Sequence, residues 1–319
     1  MRHIEVLICT HNRVELLQRV LQSLNSASKP DNCKISIRVI ANACTDQTHL
    51  FLETYQELEK FNNKLVLTWH KEPIPGKSYA LNMAISELEG DLIALVDDDH
   101  RVSRKYFLAL YHAYEKYAEN TIFFGKILPD WNGDEPGWAR DTGKYAIYPL
   151  PVPHYDKGFE SFEYNNNVAI PGGGNLALKR DVFERVGFFN TELGPQGHNL
   201  GGGEDGDYVL RAIQGGEKLR YIPQMIQYHY VDLERFHLFY ILLKSFQRSR
   251  SVISIRNENI TKIPLYLWRK LLTYLFNVVF SFSIRRSRFY SVRCAATLGE
   301  MSGFRKAIKL NLNIQKGLK

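Results

Sequence analysis

Three consecutive carboxylates, Asp97-Asp98-Asp99, follow directly on the apolar run Leu92-Ile93-Ala94-Leu95-Val96. A near-continuous apolar run of this length is what a parallel strand covered on both faces requires. Such a strand does not account for the acids, which repel one another when gathered at a strand end. A hard divalent cation removes the difficulty. Carboxylate oxygens suit Mg2+ or Mn2+, and Mg2+ takes one or two carboxylates together with substrate phosphates. In open α/β sheets, ligands sit beyond the carboxyl ends of the strands. The competing reading is a solvated acidic turn.

The elements that must position these acids follow from periodicity. Ile4 to Thr10 reads as a first strand, and Leu17, Val20, Leu21 and Leu24 form one helical stripe after it. Ile35 to Ala41 is a second strand. Thr45 or Asp46 is placed to cap a helix carrying Leu50, Tyr55 and Leu58 and running to Phe61. Leu65 to Trp69 is a third strand, followed by a Pro/Gly loop and a helix that Ser78 is expected to cap. Four strand–helix alternations in about 100 residues indicate βαβ units in a parallel sheet. No G-x-G-x-x-G follows the first strand, so a dinucleotide-binding dehydrogenase loses its main support, and a P-loop is absent too.

Further along, Ile122 to Ile127 reads as a strand, and residues 129–167 form a long aromatic loop region that includes Trp131, Trp138 and Tyr148. Gly172-Gly173-Gly174-Asn175 places glycines where another group can approach the backbone closely. Asp181 is expected to cap a helix holding Val182, Phe183 and Val186. Gly201-Gly202-Gly203 opens another helix at Glu204-Asp205, and Tyr221 to His229 reads as a last strand.

The 319 residues fit one large α/β domain, or one domain with an appendage. Four cysteines without C-x-x-C spacing make a reducing, cytoplasmic location the default. Ile4 to Cys9 is too short and strand-like for a signal peptide. The net charge of +7 is unevenly placed. Residues 231–319 carry 17 Lys and Arg against 4 Asp and Glu, whereas residues 1–230 carry 24 against 30.

Taken in order, Cys9-Thr10-His11-Asn12-Arg13, Asn42-Ala43-Cys44-Thr45-Asp46, Ala80-Leu81-Asn82, Asp97-Asp98-Asp99, Gly173-Gly174-Asn175, Gly203-Glu204-Asp205 and His229 resemble the inverting family 2 glycosyltransferases. The resemblance covers roughly residues 3–250. It implies the GT-A nucleotide-sugar-binding fold, with a mostly parallel central sheet flanked by helices and a C-terminal helical appendage. A catalytic domain is expected over 1–232, with a nucleotide-binding half at 1–100 and an acceptor half at 101–232. A basic helical region is expected over 233–319.

The resemblance also implies roles. Asp97 and Asp99 match the D-x-D acids, with Asp99 coordinating Mg2+ or Mn2+, Asp97 facing the metal or the ribose, and Asp98 facing the donor. His229 matches a position that completes the metal site. Asp205 matches the base that deprotonates the acceptor, with Glu204 as the fallback. Thr10, Asn12, Arg13, Asn42 and Asp46 match the donor-nucleotide end, and Lys77 is assigned to the diphosphate. Ala41-Asn42 stands where the family often has Asp-Asn. The acid read against uracil is therefore missing, which leaves guanine or thymine open. Gly173, Gly174, Asn175 and Trp138 are assigned to the acceptor or sugar. Gln247-x-x-Arg250 matches part of a motif of processive members, with Arg250 near the diphosphate and Ser251 replacing their Trp.

The expected activity is metal-dependent transfer of a hexosyl group from a nucleotide-sugar donor to a saccharide or lipid-linked acceptor, in surface polysaccharide or glycoconjugate assembly. The rivals are a sugar nucleotidyltransferase and a non-catalytic sugar- or lipid-binding protein on the same fold. In the basic tail, Leu265 to Ile284 is apolar but interrupted by Arg269 and Lys270. The uninterrupted part, Leu271 to Ile284, is too short to cross a bilayer. Either peripheral contact with an anionic membrane at the inner face of the cell membrane, or helices packed on the catalytic domain, fits this pattern. No recognition motif supports a nucleic-acid partner.

Overall fold

The computed structural model describes residues 1–59, 64–147, 150–165, 168, 170–171, 173–194, 203–255 and 262–317. Phe61, Tyr148, Gly172, Gly201 and Gly202, which figure in the sequence reading, lie outside them. Contacts divide the chain into two compact units, Met1–Asp130 with His154–Tyr230, and Trp131–Pro153 with Val231–Lys319.

The first unit is built on β1 (Arg2–Thr10), α1 (Val14–Ser26), β2 (Cys33–Asn42), α2 (Thr48–Glu59), β3 (Val66–Glu72), α3 (Lys77–Ile85) and β4 (Leu92–Leu95). It continues with β5 (His100–Val102), α4 (Tyr106–Lys116), β6 (Ile122–Asp130), β7 (Phe162–Glu163), β8 (Leu176–Lys179), α5 (Arg180–Val186), α6 (Glu204–Gln214) and β9 (Leu219–Tyr230). Among the described residues, nine strands form one sheet in the order β3-β2-β1-β4-β8-β6-β9-β5, with β7 paired to β9. The four strands read first from the sequence are mutually parallel. β8 runs antiparallel between β4 and β6, and β5 runs antiparallel on β9.

Both faces of the sheet are covered, which explains the unbroken apolar strands. Ile4, Val6, Ile8, Leu92 and Ala94 join one core with α1 and α4. Leu7, Ile93 and Leu95 face a second core with α3, α5 and α6. One ion pair crosses this apolar interior. Glu5 and Arg38 are both buried, with Arg38 Nε 2.7 Å from Glu5 Oε1. The other Glu5 oxygen accepts the backbone N–H groups of Glu89 and Gly90. Those bonds hold the turn that feeds β4 at a fixed height beside β1.

Local differences from the sequence reading have physical reasons. The N-cap of α3 is Gly76, at φ 144°, a conformation open to glycine. Ser78 lies inside the helix and donates to the Leu193 carbonyl. Likewise Lys179 is the N-cap of α5, with Asp181 in its first turn and paired to Arg185. Asp46 does act as expected at the start of α2, where it accepts from the N–H and hydroxyl of Thr48.

The second unit contains α7 (Leu238–Ile255), α8 (Leu265–Val279) and α9 (Ile284–Gly317). The apolar stretch expected over 265–284 thus ends its helix at Val279, and a turn separates it from α9. Leu267 and Leu271 of α8 pack with Cys294 and Met301 of α9, and Lys270 pairs with Glu300 at 3.1 Å. Residues 131–153 pack within this unit, where Ala139 and Val152 share a cluster with Val231 and Phe236. Among the described residues, no helix is long and apolar enough to cross a membrane.

Candidate active site

The acids lie where the fold places ligands, beyond the carboxyl ends of β1 and β4. Thr10 ends β1, and its hydroxyl donates to Asp98 at 2.9 Å. Arg13, one turn later, reaches Asp98 at 2.9 Å and Asp99 at 3.2 Å. Burial pushes the Asp98 carboxyl up to about 6, and Asp99 adds to that, against the pull of Arg13. The middle acid is therefore held inward by protein partners.

Asp99 converges with two imidazoles. His100 Nε2 and His229 Nε2 lie 3.8 and 3.6 Å from its two carboxylate oxygens. One potential ligand atom from each of the three residues falls within 4.8 Å of the others. β5 and β9 make the juxtaposition, since His100 and His229 are register partners.

A hydrogen-bond network fixes the His100 tautomer. Asn175 Nδ2 donates to the carbonyls of Lys126 and Met225, so its Oδ1 accepts, and Gln227 Nε2 stands 3.0 Å away. Gln227 Nε2 also faces the Leu95 carbonyl and the Tyr106 hydroxyl. Gln227 Oε1 is then the acceptor 2.7 Å from His100 Nδ1, which must carry the proton. His229 Nδ1 likewise sits 2.6 Å from the Tyr230 carbonyl. Both rings thus turn a basic Nε2 toward Asp99, the arrangement in which imidazoles ligate metals. Ligand atoms about 2.1 Å from an ion lie about 3–4 Å apart, and the 3.8 and 3.6 Å separations of Asp99 from the two imidazoles fall in that range, so these residues are a candidate set for a divalent cation.

The structure brings together Asp99 and His229 of the expected metal set. It adds His100, whose place directly after the third acid was the available signal. Asp97 turns elsewhere, with its carboxylate 2.9 Å from Lys77 Nζ. The same ammonium lies 3.2 Å from Asp205 and 3.5 Å from Glu204. Desolvation works against the Lys77 charge, yet Asp205, Asp97 and Glu204 together hold its pKa well above the ordinary lysine value. Asp97 would be raised by desolvation, but Lys77 and then His100 outweigh it and hold its carboxyl well below the usual range. Asp205 goes the other way. Desolvation raises it to about 6, with Glu204 and Asp97 adding to the rise against Lys77.

Asp205 Oδ2 meets Lys77, whereas its Oδ1 is buried without a hydrogen-bond partner among the described residues. Its position depends on Gly173, because a Cβ there would overlap the Asp205 carboxylate. A Cβ on Gly174 would collide with His100 and Asp97. The close approach expected at these glycines is made by the site's own side chains. Asn175 is buried and its amide is committed to the network above.

Other expected donor contacts have structural duties. Asn42 is buried and braces the loop before α3, bonding Glu72 O, Ile74 O and Gly76 N. Asn12, at φ 53°, accepts from the backbone N–H groups of Thr45 and Asp46. Asp46 also receives the Val14 N–H. In the second unit, Trp138 packs on Phe236 with the Arg288 guanidinium over its ring, and Arg250 is exposed on α7.

A parallel α/β half-sheet with acids, imidazoles and a buried carboxylate gathered at its strand ends places these groups where open α/β sheets bind their ligands. The family model described as Glycosyl transferase family 2 matches residues 5–187, and the chain belongs to that family. It is 27% identical over 177 residues to glucosyl-dolichyl phosphate glucuronosyltransferase of Haloferax volcanii, covering 55% of this chain and 54% of that one. It is 23% identical over 250 residues to the succinoglycan biosynthesis protein ExoM of Rhizobium meliloti, covering 78% and 74%. The chain thus spans about half the length of the first of these relatives. The fold is shared with mannosyltransferase PcManGT from Pyrobaculum calidifontis, solved with GDP-Man and Mn2+ (TM-score 0.55, 17% identity, 97% and 86% coverage). It is also shared with S. aureus TarS 1-349, solved with UDP (TM-score 0.53, 16% identity, 99% and 92% coverage).

If Asp99, His100 and His229 hold the ion, His100→Ala and His229→Ala should each weaken Mn2+ binding about tenfold or more, and Asp97→Asn clearly less. Titration calorimetry with Mn2+ alone checks this. Unchanged affinity in His100→Ala would place the ion elsewhere.

Proposed function

We propose that the protein transfers a hexosyl group from a nucleoside-diphosphate donor to an acceptor hydroxyl, with inversion at the anomeric carbon and with a divalent cation bound. The observation that carries this reading is the Asp205 carboxylate, which has one oxygen tied to Lys77 and the other buried without a hydrogen-bond partner among the described residues. Inversion by single displacement needs one such group near the attacking hydroxyl. As the acceptor oxygen bonds to the anomeric carbon, the bond from that carbon to the diphosphate oxygen breaks. The hydroxyl proton passes to Asp205 Oδ1, and the nucleoside diphosphate leaves. Glu204, buried beside it, raises the basicity of Asp205, while Lys77 fixes its orientation. Gly173 leaves the room that the carboxylate occupies.

The nucleotide is assigned to the carboxyl ends of β1 and β2, where Thr10, Asn12, Arg13 and Asp46 cluster. Asn42 shapes that end through the loop it braces. Lys77 is assigned to the diphosphate as well as to Asp205. Asp99, His100 and His229 would hold Mn2+ or Mg2+, and Asp97 would act beside them through Lys77. A bound cation would offset the negative charge that develops on the leaving diphosphate. Support for a nucleotide-sugar donor comes from the bound GDP-Man and UDP of proteins with the same fold. The names of the H. volcanii and R. meliloti relatives support a lipid-linked or polysaccharide acceptor.

Thermal unfolding with UDP, GDP, dTDP and CDP, each with and without Mn2+, tests the donor site. A ligand at about 100 times its Kd stabilises by about 2.7 kcal/mol, so one nucleotide should raise Tm by roughly 5 °C, and only with the metal. No shift with any of the four would overturn the donor assignment. The pH dependence tests the base. Protonated Asp205 cannot accept a proton, so kcat/KM should climb as pH rises through about 6 and level off above it. A profile flat from pH ~5 to ~8 would remove Asp205 from that role.

A further inference from the structure

Among the described residues, the outer face of α8 is the densest run of exposed large apolar side chains. Its inner face, Leu267, Leu271, Tyr274 and Val278, is taken up by packing with α9. Its outer face carries Leu265, Trp268, Leu272, Leu275, Phe276 and Val279, at steps of three and four residues. At 100° per residue these six fall in one stripe roughly 100° wide, centred about 120° around the helix from the packed face. They are 45–84% exposed. The stripe runs into the α8–α9 turn, where Phe282 is fully exposed. Among the described residues, ten of the 24 exposed large apolar ones lie within 265–284, so this is a concentration and not ordinary surface scatter.

Charge selects the occupant. Residues 262–317 carry 11 Lys and Arg against a single acid, Glu300, and that acid is paired with Lys270. Arg269 is exposed on the flank of the stripe, whereas Arg285, Arg286 and Arg288 after the turn are half-buried, Arg285 pairing with Asp141 and Arg288 lying over Trp138. A second copy of so basic a unit would be repelled at close range, whereas an anionic surface would be attracted. Trp268 within the stripe suits the boundary between headgroups and acyl chains. The 15 residues of α8 span about 22 Å, too short to cross a bilayer but long enough to lie on one.

We propose that α8 and the α8–α9 turn are a docking surface for an anionic phospholipid bilayer, into which the Leu265–Val279 stripe inserts while the exposed Arg269 meets the headgroups. This goes beyond the transfer reaction and can hold or fail independently of it.

The test is cosedimentation of the full chain with vesicles of phosphatidylcholine alone, or with about a third phosphatidylglycerol, at low and at physiological salt. The protein should pellet with the anionic vesicles, less so as salt rises, and the tryptophan emission should shift to the blue on binding. Leu272→Ser combined with Phe276→Ser should lower the partition coefficient about tenfold or more. Both residues face solvent, and an unchanged melting curve confirms the fold. Arg269→Glu, an independent variant, should weaken binding to anionic vesicles and leave the phosphatidylcholine baseline unchanged. Absence of binding to the anionic vesicles would overturn the proposal. So would equal binding by the double variant, or a lipid-free dimer that the double variant abolishes and vesicles do not compete away.

Discussion

Five carboxylates, those of Asp97, Asp98, Asp99, Glu204 and Asp205, are gathered at the strand ends. Like charges about 4 Å apart repel by about 4 kcal/mol at the effective dielectric of a partly shielded site. The arrangement therefore exists only because cations are interleaved with the acids. Lys77 stands between Asp97, Glu204 and Asp205, and Arg13 stands between Asp98 and Asp99. The consequence is a division of labour among chemically identical groups. Asp97 is held ionised, Asp98 is turned inward, Asp99 faces two imidazoles, and Asp205 keeps a raised pKa and an oxygen with no hydrogen-bond partner among the described residues. Environment, not residue type, separates a candidate base from a candidate ligand.

The scaffold supplies that environment through small residues and buried polar groups as much as through the acids. Gly173 and Gly174 present bare backbone to Asp205, Asp97 and His100. Asn175, Tyr106 and Gln227 form a chain of hydrogen bonds whose last link sets the His100 tautomer. Asn12 and Ala43 adopt positive φ at the ends of β1 and β2, where the backbone turns sharply out of the sheet. Such conformations concentrate at functional sites because the surrounding structure must hold them in place.

The four parallel strands and their helices were legible in the sequence because two-sided burial writes itself as continuous apolar runs. The acids were legible because nothing in a strand explains them. The short antiparallel strands were not. Three residues at His100–Val102 and four at Leu176–Lys179 are too few to show a period, and their pairing is set by distant partners. His100 follows the third acid directly in sequence, but its meeting with His229 is set only when β5 pairs with β9. The polar residues Asn42 and Asn175 read as ligand contacts in sequence. In the folded chain the Asn42 amide and the Asn175 NH2 are committed to backbone groups that would otherwise be buried unpaired, and the Asn175 oxygen to Gln227 and Tyr106. In the tail, the apolar stretch from Leu265 was visible, but which side of α8 is packed depends on α9.

The most direct test of the central claim separates binding from chemistry at Asp205. Wild type and Asp205→Asn would be compared for affinity toward the preferred nucleotide with Mn2+, by calorimetry, and for release of that nucleotide from its sugar donor with acceptor present. The account predicts nucleotide affinity within about threefold of wild type, with turnover reduced by at least about a hundredfold. Turnover near the wild-type rate in Asp205→Asn would contradict it.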